Sequence, residues 1–351
     1  MQYTQLGNTG VFVSRLCMGA MTFGGKGGLF EAIGGLDQAE TDALVGQCLD
    51  GGINFFDTAN VYSRGESETL LGNALGSRRH EVVIATKVFG RMGEGANQVG
   101  LSRLHILQQI DASLKRLGTD YIDLYQVHGF DALTPLEETI RALDSVVRAG
   151  KVRYIGCSNF TAWQTMKALG ISERQNLERF ITLQSYYSLA GRELERELVP
   201  MMLDQKVGLL PWSPLAGGFL SGKFTRAGAA DDQSRRTKFS FPPVNLEKGY
   251  AIVEACQEIA KAKNATVAQV ALAWLLHQPV TTSVIIGARK SSQLADNLGA
   301  VDLKFDADDL KKLDEVSKLA PEYPGWMQAL PSERRPGERR DWSRVAAPAK
   351  A

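Results

Sequence analysis

The sequence has few cysteines, and they are not arranged in pairs. Only four of the 351 residues are cysteines, and no two of them form a Cys-x-x-Cys motif. They lie far apart in the chain, at Cys17, Cys48, Cys157 and Cys256. Isolated cysteines within apolar stretches are typical of small buried thiols rather than of disulfides or metal ligands. We therefore expect neither a disulfide framework nor a metal site.

The sequence also has no large net charge and no long apolar run. Forty Lys and Arg residues face 39 Asp and Glu residues, which gives a formal net charge of +1. This balance creates no overall field that would attract nucleic acid or an anionic membrane. No apolar run reaches the roughly 18 residues that span a bilayer, and the first residues do not resemble a signal peptide. We expect a cytoplasmic protein whose partner is a small molecule; the oligomeric state stays open.

The glycine-rich motif of dinucleotide-binding sheets is missing as well. We find no Gly-x-Gly-x-x-Gly between a strand and a helix, so a Rossmann domain is not expected. The segment GGFLSGKF (217–224) has the spacing of a phosphate-binding loop, but Phe224 stands where that loop needs a hydroxyl to hold Mg²⁺. A triphosphate site is therefore disfavoured. Backbone N–H groups and Lys223 are still compatible with binding another phosphate.

Eight short apolar runs alternate with stretches of helical periodicity. The runs are RLCMGAM (15–21), INFFDTA (53–59), VVIATKV (82–88), YIDLYQVH (121–128), YIGCSN (154–159), ITLQSYY (181–187), LLPWSP (209–214) and SVIIGA (283–288). Nearly continuous hydrophobicity is typical of strands that are covered on both faces of a parallel sheet. Since 351 residues can form one large barrel, this alternation predicts an α/β fold, a (β/α)8 TIM barrel.

The remaining segments are predicted to be additions to one barrel domain at 1–330. YTQLGNTGVFVS (3–14) predicts a β-hairpin that closes one end of the barrel. The seventh and eighth runs start about 74 residues apart, which predicts an insertion over one mouth. The glycine-rich stretch 24–36 is compatible with a mobile lid or a flexible insertion. The C-terminal segment 331–351 is expected to be a flexible tail by composition, with a substrate-touching lid as the alternative.

Polar residues interrupt the apolar runs near their C-terminal ends. These residues are Asp57, Lys87, His128, Ser158, Asn159, Gln184 and Ser213. In a barrel of parallel strands these ends converge on one face, where barrel enzymes carry their active sites. One polar residue at a strand end has little meaning, but six strand ends in register are hard to explain by packing. The pattern predicts an active site at this face.

Four of the residues at or near these ends suit proton transfer to a carbonyl group. Tyr62 follows Asp57 by five residues and is expected on the loop above the mouth. A phenol has an ordinary pKa of about 10, too high for an efficient acid at neutral pH unless a cation favours the phenolate. Lys87 can supply that cation, and Asp57 can hold its ammonium in place. His128 is predicted to hydrogen-bond the carbonyl oxygen that Tyr62 protonates, and so to fix its orientation or to share in the proton transfer.

This set resembles the catalytic tetrad of the aldo-keto reductases. The resemblance covers the chain up to about residue 327, and its motifs stand in the family's order. They are DTANVY (57–62), ATK (85–87), VH (127–128), GCSNF (156–160), the glutamine of LQSYYSL, WSPLAGGFLSGK (212–223) and GARKSSQLADN (287–297). The resemblance, which is to the aryl-alcohol-dehydrogenase-like and channel-beta-subunit-like branch, implies a (β/α)8 barrel that binds NADP(H), with NAD(H) possible. It further implies hydride transfer between nicotinamide and a carbonyl carbon.

The resemblance also assigns cofactor contacts. It implies that Ser213, Leu215, Gly217 and Lys223 bind the pyrophosphate, that Trp212 stacks on the nicotinamide, and that Ser158, Asn159 and Gln184 bind the carboxamide. At the start of the helix after the eighth strand, Arg289, with Lys290 and Ser291, is expected to bind the 2′-phosphate of NADP, since a helix N-terminus favours anions. Gln293, Asp296 and Asn297 match adenosine contacts. Ala20, Met21, Asp57 and Gly287 complete the predicted cofactor set.

The substrate is predicted only by class. Phe89 and Phe130, with Trp326 as a further candidate, lie in loops expected near the pocket and suggest an apolar or ring-containing carbonyl compound.

Two other functions stay open at this point. The first is a nicotinamide-binding regulatory protein with little turnover, because some family members are channel-associated subunits. Those members lack the histidine of the tetrad, whereas this chain keeps it as His128. The second is a barrel aldolase in which Lys87 forms a Schiff base.

Overall fold

The structure is a computed structural model that describes residues 1–25, 29–226, 228–229, 236 and 239–328. Eight parallel strands form one sheet. They are β3 (Leu16–Gly19), β4 (Phe55–Asp57), β5 (Val83–Val88), β6 (Ile122–Val127), β7 (Val152–Ser158), β8 (Phe180–Tyr186), β9 (Gly208–Trp212) and β12 (Val284–Ile286). The order is β12-β3-β4-β5-β6-β7-β8-β9, and Leu209 bridges to Thr281 across the remaining gap. The sheet therefore closes nearly completely, and the predicted (β/α)8 barrel is confirmed.

Helices lie between the strands and complete the alternation. Their bounds are α1 (Leu29–Ile33), α2 (Gln38–Asp50), α3 (Glu66–Leu75), α4 (Arg103–Leu117), α5 (Leu136–Arg148), α6 (Ala162–Gln175), α7 (Leu198–Gln205), α8 (Leu246–Lys263), α9 (Val267–Leu276), α10 (Ser291–Leu298), α11 (Ala307–Ser317) and α12 (Gly325–Gln328). Short 3-10 turns occur at Ala20–Thr22, Tyr62–Gly65, Gly76–Glu81, Glu193–Glu195, Ala216–Ser221 and Gly299–Val301. Among the described residues, no helix is long and apolar enough to cross a membrane.

Local sequence signals determine where several helices begin and end. Asp37 caps α2 by accepting a hydrogen bond from the backbone of Glu40, whose side chain reaches back in a capping box. Helix α4 ends at Gly118, which adopts a left-handed conformation with φ of 62°. These ends are set by short-range chemistry, so the sequence predicts them well.

The N-terminal hairpin closes one end of the barrel. Strands β1 (Tyr3–Gln5) and β2 (Phe12–Ser14) pair antiparallel, as predicted. Leu6 and Val13 of this hairpin are fully buried in an apolar cluster inside the barrel. The cluster is completed by Cys17, Phe55, Ala85, Leu124, Leu210 and Ile285. The N-terminal half of the barrel is thus packed with apolar side chains, which confines the polar side chains to the other end.

The insertion between the seventh and eighth barrel strands lies at the C-terminal mouth, as predicted. It contains the short hairpin β10 (Phe224–Thr225) and β11 (Gly228–Ala229), followed by α8 and α9. Phe241 of this insertion stacks on Trp212 at the end of β9, with ring centroids 5.8 Å apart and planes at 12°. The predicted C-terminal tail lies outside the described residues, as do positions 26–28 of the glycine-rich stretch.

The four cysteines are buried and have free thiols. Burial raises the pKa of Cys48 and that of Cys256 to about 12. A thiol with such a pKa stays protonated at neutral pH and is a poor nucleophile and metal ligand. The structure thus agrees with small structural thiols.

Candidate active site

An ion pair lies at the centre of the polar end of the barrel. Lys87 of β5 is fully buried, and Asp57, the last residue of β4, is 2% exposed. The Lys87 ammonium donates hydrogen bonds to Asp57 Oδ1 and, over 2.8 Å, to the carbonyl oxygen of Thr58. A buried ammonium is costly unless it is paired and fully hydrogen-bonded. These two acceptors hold it at a fixed position below the barrel mouth.

The same ammonium contacts the predicted acid. Lys87 Nζ donates a third hydrogen bond to the hydroxyl oxygen of Tyr62 over 3.2 Å. It also lies 4.8 Å from the centre of the Tyr62 ring. Burial, the largest single effect, lowers the pKa of Lys87, but the negative charge of Asp57 and the interaction with Tyr62 outweigh it, so that the pKa is raised overall. Lys87 is therefore a permanent cation beside the phenol oxygen.

Tyr62 is presented by an unusual turn. Three consecutive residues after it have left-handed backbone conformations: φ is 49° at Ser63, 56° at Arg64 and 91° at Gly65. Such a conformation costs roughly 1–2 kcal/mol for each non-glycine residue. The Ser63 hydroxyl is buried and donates to the carbonyl oxygen of Phe23 over 3.2 Å. This anchoring sustains the strain that turns Tyr62 over the barrel mouth.

His128 also contacts Tyr62. Its ring meets the Tyr62 ring edge-on, with centroids 5.6 Å apart and planes at 74°. Burial first, and the Lys87 ammonium second, lower the pKa of His128 to about 3. The imidazole is consequently neutral at physiological pH, and it can orient a carbonyl oxygen by hydrogen bonding but cannot act as a cationic acid there.

Two glutamine side chains complete the shell of Asp57. Gln184 Nε2 donates to Asp57 Oδ2 over 2.9 Å, and Gln126 Nε2 donates to the same oxygen over 3.1 Å. Gln184 was predicted as a carboxamide contact. Gln126 was missed, although the signal was present: it stands two residues before His128, so the two side chains share a face of the strand.

Side-chain hydrogen bonds join residues at the C-terminal ends of neighbouring barrel strands. Trp212 Nε1 donates to Asn159 Oδ1 over 3.0 Å, and Asn159 Nδ2 donates to the carbonyl oxygen of His128, also over 3.0 Å. The Ser158 hydroxyl donates to the carbonyl oxygen of Gln184 over 3.0 Å. Four strands of the barrel, β6 to β9, are thereby tied together at the mouth, and the indole of Trp212 is held by Asn159.

A cavity of about 350 Å³ lies between the segments that follow β9 and β12. It brings together predicted cofactor residues that are distant in sequence. Those that line it are Ser213, Leu215, Gly217, Lys223, Gly287, Arg289, Gln293, Asp296 and Asn297. Thr22, Ile33 and Gly218 also line it and were not predicted. Ser291 was expected beside Arg289, but its hydroxyl is engaged with Gln47.

The chemistry of the cavity fits a dinucleotide. A Cβ added at Gly218 or at Gly287 would meet no atom within 4 Å, so both backbones leave open space for a ligand. Lys223 and Arg289 are the basic residues in the lining, and the acidic one, Asp296, accepts hydrogen bonds from Thr266 with both oxygens at 3.1 Å. A glycine backbone and two cations suit a phosphate-bearing ligand.

The segment GGFLSGKF does not have the context of a triphosphate loop. It follows β9, forms a 3-10 turn at Ala216–Ser221 and leads into the hairpin β10–β11 instead of a helix. Gly217 has a φ of 66°, and a Cβ there would lie 2.3 Å from the carbonyl oxygen of Phe241. Its N–H donates to the Ser213 hydroxyl over 3.0 Å. Glycine is therefore required at 217 by the local packing.

Five further predicted residues do not line this cavity. Ala20 and Met21 form the 3-10 turn that follows β3. The Phe130 ring packs edge-on against Phe160 and Trp163, at 5.4 and 6.0 Å. Phe89 packs against the apolar core and is partly buried. Trp326 lies in α12, where its ring contacts that of Tyr323, which precedes the helix, and is 47% exposed.

One aromatic residue near the proton donor was not anticipated. Phe30 of α1 lies 5.7 Å from the Tyr62 ring. Its position within a glycine-rich stretch gave no periodic signal that would have identified it.

The fold and the polar end of the barrel are those of a (β/α)8-barrel enzyme. Comparisons with known sequences identify the family. The sequence profile of the aldo/keto reductase family matches residues 15–318. The chain therefore belongs to the aldo/keto reductase family, whose members are oxidoreductases that generally use nicotinamide cofactors.

Its relatives lie in the expected branch. A putative aryl-alcohol dehydrogenase of Schizosaccharomyces pombe is 39% identical over 342 residues, 89% of this chain and 95% of that protein. A probable voltage-gated potassium channel subunit beta of Arabidopsis thaliana is 38% identical over 337 residues, 92% and 99% of the two chains. The versiconal hemiacetal acetate reductase of Aspergillus parasiticus is 36% identical over 349 residues, 93% and 99%. The branch expected from the sequence is thus confirmed.

Proposed function

We propose that the protein reduces an aldehyde or a ketone to an alcohol with NADPH, and that it can run the reverse oxidation. The observation that carries this proposal is the contact between a permanently charged, buried Lys87 and the hydroxyl oxygen of Tyr62. The contact lies at the barrel mouth, and the cavity that suits a dinucleotide adjoins the same face.

The direction of that hydrogen bond suits proton donation by Tyr62. Because Lys87 donates to the phenol oxygen, the hydroxyl hydrogen of Tyr62 is not used in this contact and can be given to a substrate oxygen. The ammonium then stabilises the phenolate that remains. Asp57 holds the ammonium in place. A nicotinamide bound at this face would supply the hydride to the carbonyl carbon, so that one hydride and one proton complete the reduction.

The role of His128 follows from its charge state. A neutral imidazole beside the Tyr62 ring can hydrogen-bond the carbonyl oxygen of a substrate and fix its approach. It would hold that oxygen within reach of the Tyr62 hydroxyl. We therefore assign proton donation to Tyr62 and orientation to His128.

The cofactor contacts are proposed from the cavity and its neighbours. Ser213, Leu215, Gly217 and Lys223 would bind the pyrophosphate, and Gln293, Asp296 and Asn297 the adenosine. Ser158, Asn159 and Gln184 would bind the carboxamide, next to the ring of Trp212. The exposed Arg289 at the cavity would bind a 2′-phosphate, which favours NADP(H) over NAD(H).

The aldolase alternative is disfavoured by the state of Lys87. A lysine that forms a Schiff base needs a lowered pKa so that its amine is free to attack. The pKa of Lys87 is instead raised, and the ammonium is buried with Asp57, Thr58 and Tyr62 around it. The regulatory alternative receives support from the relatives named as channel subunits, but this chain retains the complete set of Asp57, Tyr62, Lys87 and His128.

The proposal is tested with the purified protein in two steps. Fluorescence titration with NADPH and with NADH first measures cofactor binding. A panel of aldehydes and ketones then tests turnover through the loss of NADPH absorbance. Binding together with carbonyl-dependent oxidation supports the proposal. Binding without turnover across the panel supports the regulatory alternative, and no binding contradicts the cofactor assignment.

A further inference from the structure

Gln126 occupies a position that the proposed mechanism does not yet use. It is fully buried in β6, where it pairs in register with Lys87 of β5 on one side and with Gly156 of β7 on the other. Its amide reaches across the barrel interior to Asp57. A buried amide next to a catalytic ion pair is costly unless its hydrogen bonds are made, so its partners reveal its role.

The chemistry of Asp57 determines how the two amides are oriented. An ionised carboxylate only accepts hydrogen bonds, so each amide atom near Asp57 Oδ2 must be an NH₂ group. Gln126 and Gln184 therefore both present their nitrogens to this oxygen. In addition, Gln184 Nε2 lies 3.5 Å from Gln126 Oε1. Gln126 thus contacts both the carboxylate and the other amide that binds it.

The backbone opposite Gln126 leaves room for this arrangement. A Cβ added at Gly156 would lie 2.3 Å from Thr182 Oγ1 and 3.3 Å from Gln126 Cγ. A larger residue at 156 would therefore displace the Gln126 side chain or its neighbour in β8. The absence of a side chain at Gly156 permits the reach of Gln126 to Asp57.

We propose that Gln126 is a positioning residue that weakens the hold of Asp57 on Lys87 and so strengthens the effect of Lys87 on Tyr62. This inference rests on the proposed roles of the ion pair and of Tyr62. Hydrogen bonds to Oδ2 draw negative charge away from Oδ1, where the ammonium binds. Without Gln126, Asp57 would neutralise the ammonium more completely. Tyr62 would then release its proton less readily.

Other titratable groups near the ion pair do not obscure this effect. Among the described residues, Cys17 and His128 interact electrostatically with the pair. Burial raises the pKa of the Cys17 thiol well above its ordinary value, and the pKa of His128 is lowered to about 3. Neither group changes charge between about pH 5 and about pH 9. Titration of Cys17 or His128 therefore contributes nothing to a change that is measured in that range.

The test measures the ionisation of Tyr62 in the cofactor-free protein. Ultraviolet difference titration detects tyrosinate, and subtraction of the Tyr62→Phe variant isolates Tyr62 from the other tyrosines. Gln126→Met removes the amide and keeps the side-chain length. The midpoint of Tyr62 ionisation is expected to rise by roughly half a pH unit, and kcat at neutral pH to fall roughly tenfold.

Thr182→Val is the matched control. Thr182 is buried in the same barrel beside Gly156, and its hydroxyl has no hydrogen-bond partner. The control is expected to keep the wild-type midpoint and kcat, because it perturbs the interior without touching Asp57. A midpoint in Gln126→Met equal to that of the wild type would overturn the proposal, whatever its kcat, since a packing role lowers activity without moving the titration.

A second variant keeps the test decisive if Gln126→Met does not fold. In Gln126→Glu the introduced carboxyl group faces Asp57, and two like charges at this distance favour a shared proton. Its protonated form can donate to Asp57 as the amide does, so activity relative to the wild type is expected to recover as the pH falls. A relative activity that stays reduced and constant with pH would overturn the proposal. The titration of Tyr62 needs no turnover. A wrong proposal for Gln126 can therefore be distinguished from a wrong proposal for the reaction.

Discussion

Lys87 donates a hydrogen bond to the hydroxyl oxygen of Tyr62 over 3.2 Å, and the same ammonium is paired with Asp57. The phenol oxygen therefore accepts a hydrogen bond from a fixed positive charge. Lys87 lies in β5, whereas Tyr62 lies in the loop that follows β4. Their contact therefore depends on the packing of the barrel.

Lys87→Met should abolish turnover and destabilise the fold. The substitution leaves the Asp57 carboxylate buried without its cation, which costs roughly 3–5 kcal/mol of unfolding free energy. Urea denaturation followed by circular dichroism measures this loss. In the double variant Asp57→Asn with Lys87→Met, most of the stability should return while activity stays absent. Equal stability of the single and the double variant would contradict the pairing.

His128 should stay neutral until the pH falls to about 3. The unfolded chain binds the proton near the ordinary histidine pKa of about 6.5, so unfolding takes up a proton between these two values. Above a pH of about 6.5 the folded protein has the full stabilisation that depends on neutral His128. As the pH falls below this value, the free energy of unfolding decreases by up to about 1.4 kcal/mol per pH unit. Denaturation of the wild type and of His128→Asn across this range measures the difference in slope. Parallel curves would show that His128 titrates normally.

Arg289→Leu should change the choice of cofactor. Arg289 is exposed at the cavity, where its guanidinium can pair with a 2′-phosphate. Loss of such a charged contact should raise the Kd for NADPH roughly tenfold and leave the Kd for NADH unchanged. Arg141→Leu, an exposed arginine of α5 that does not line the cavity, is the control. An equal change for both cofactors would argue against recognition of the 2′-phosphate by Arg289.

Gly287→Val should block the cavity without disturbing the fold. A Cβ at Gly287 meets no protein atom within 4 Å, so the new side chain enters the open space. We expect the Kd for NADPH and NADH to rise together by at least roughly tenfold, with the melting temperature nearly unchanged. Gly46→Ala in α2, where a Cβ also meets nothing, should bind both cofactors normally. Normal binding by Gly287→Val would place the cofactor elsewhere.

The architecture could be predicted from the sequence because each strand, turn and helix end is indicated by residues that are close together in the chain. Each barrel strand is an apolar run, and Asp57, Lys87 and His128 each mark the end of one. Their convergence then follows from the parallel arrangement of the strands. The hairpin and the insertion were predicted in the same way, from turn residues and from chain spacing.

Other parts of the site depend on contacts that no local pattern encodes. The left-handed backbone at Ser63 and Arg64 occurs in residues that rarely adopt it, and the hydrogen bond from Ser63 to Phe23 helps to sustain it. Phe30 reaches Tyr62 from a stretch without periodicity. Gln126 did carry a signal, its spacing from His128, but its role depends on the carboxylate it meets across the barrel.

The measurement that tests the central claim most directly is the turnover of Tyr62→Phe. This variant removes one oxygen atom and keeps the ring between Phe30 and His128. We predict that kcat for NADPH-dependent reduction of a carbonyl substrate falls by at least ~10²-fold, the usual scale for loss of a general acid. The Kd for NADPH should stay nearly the same. A variant that keeps most of its rate would contradict the assignment of Tyr62 as the proton donor.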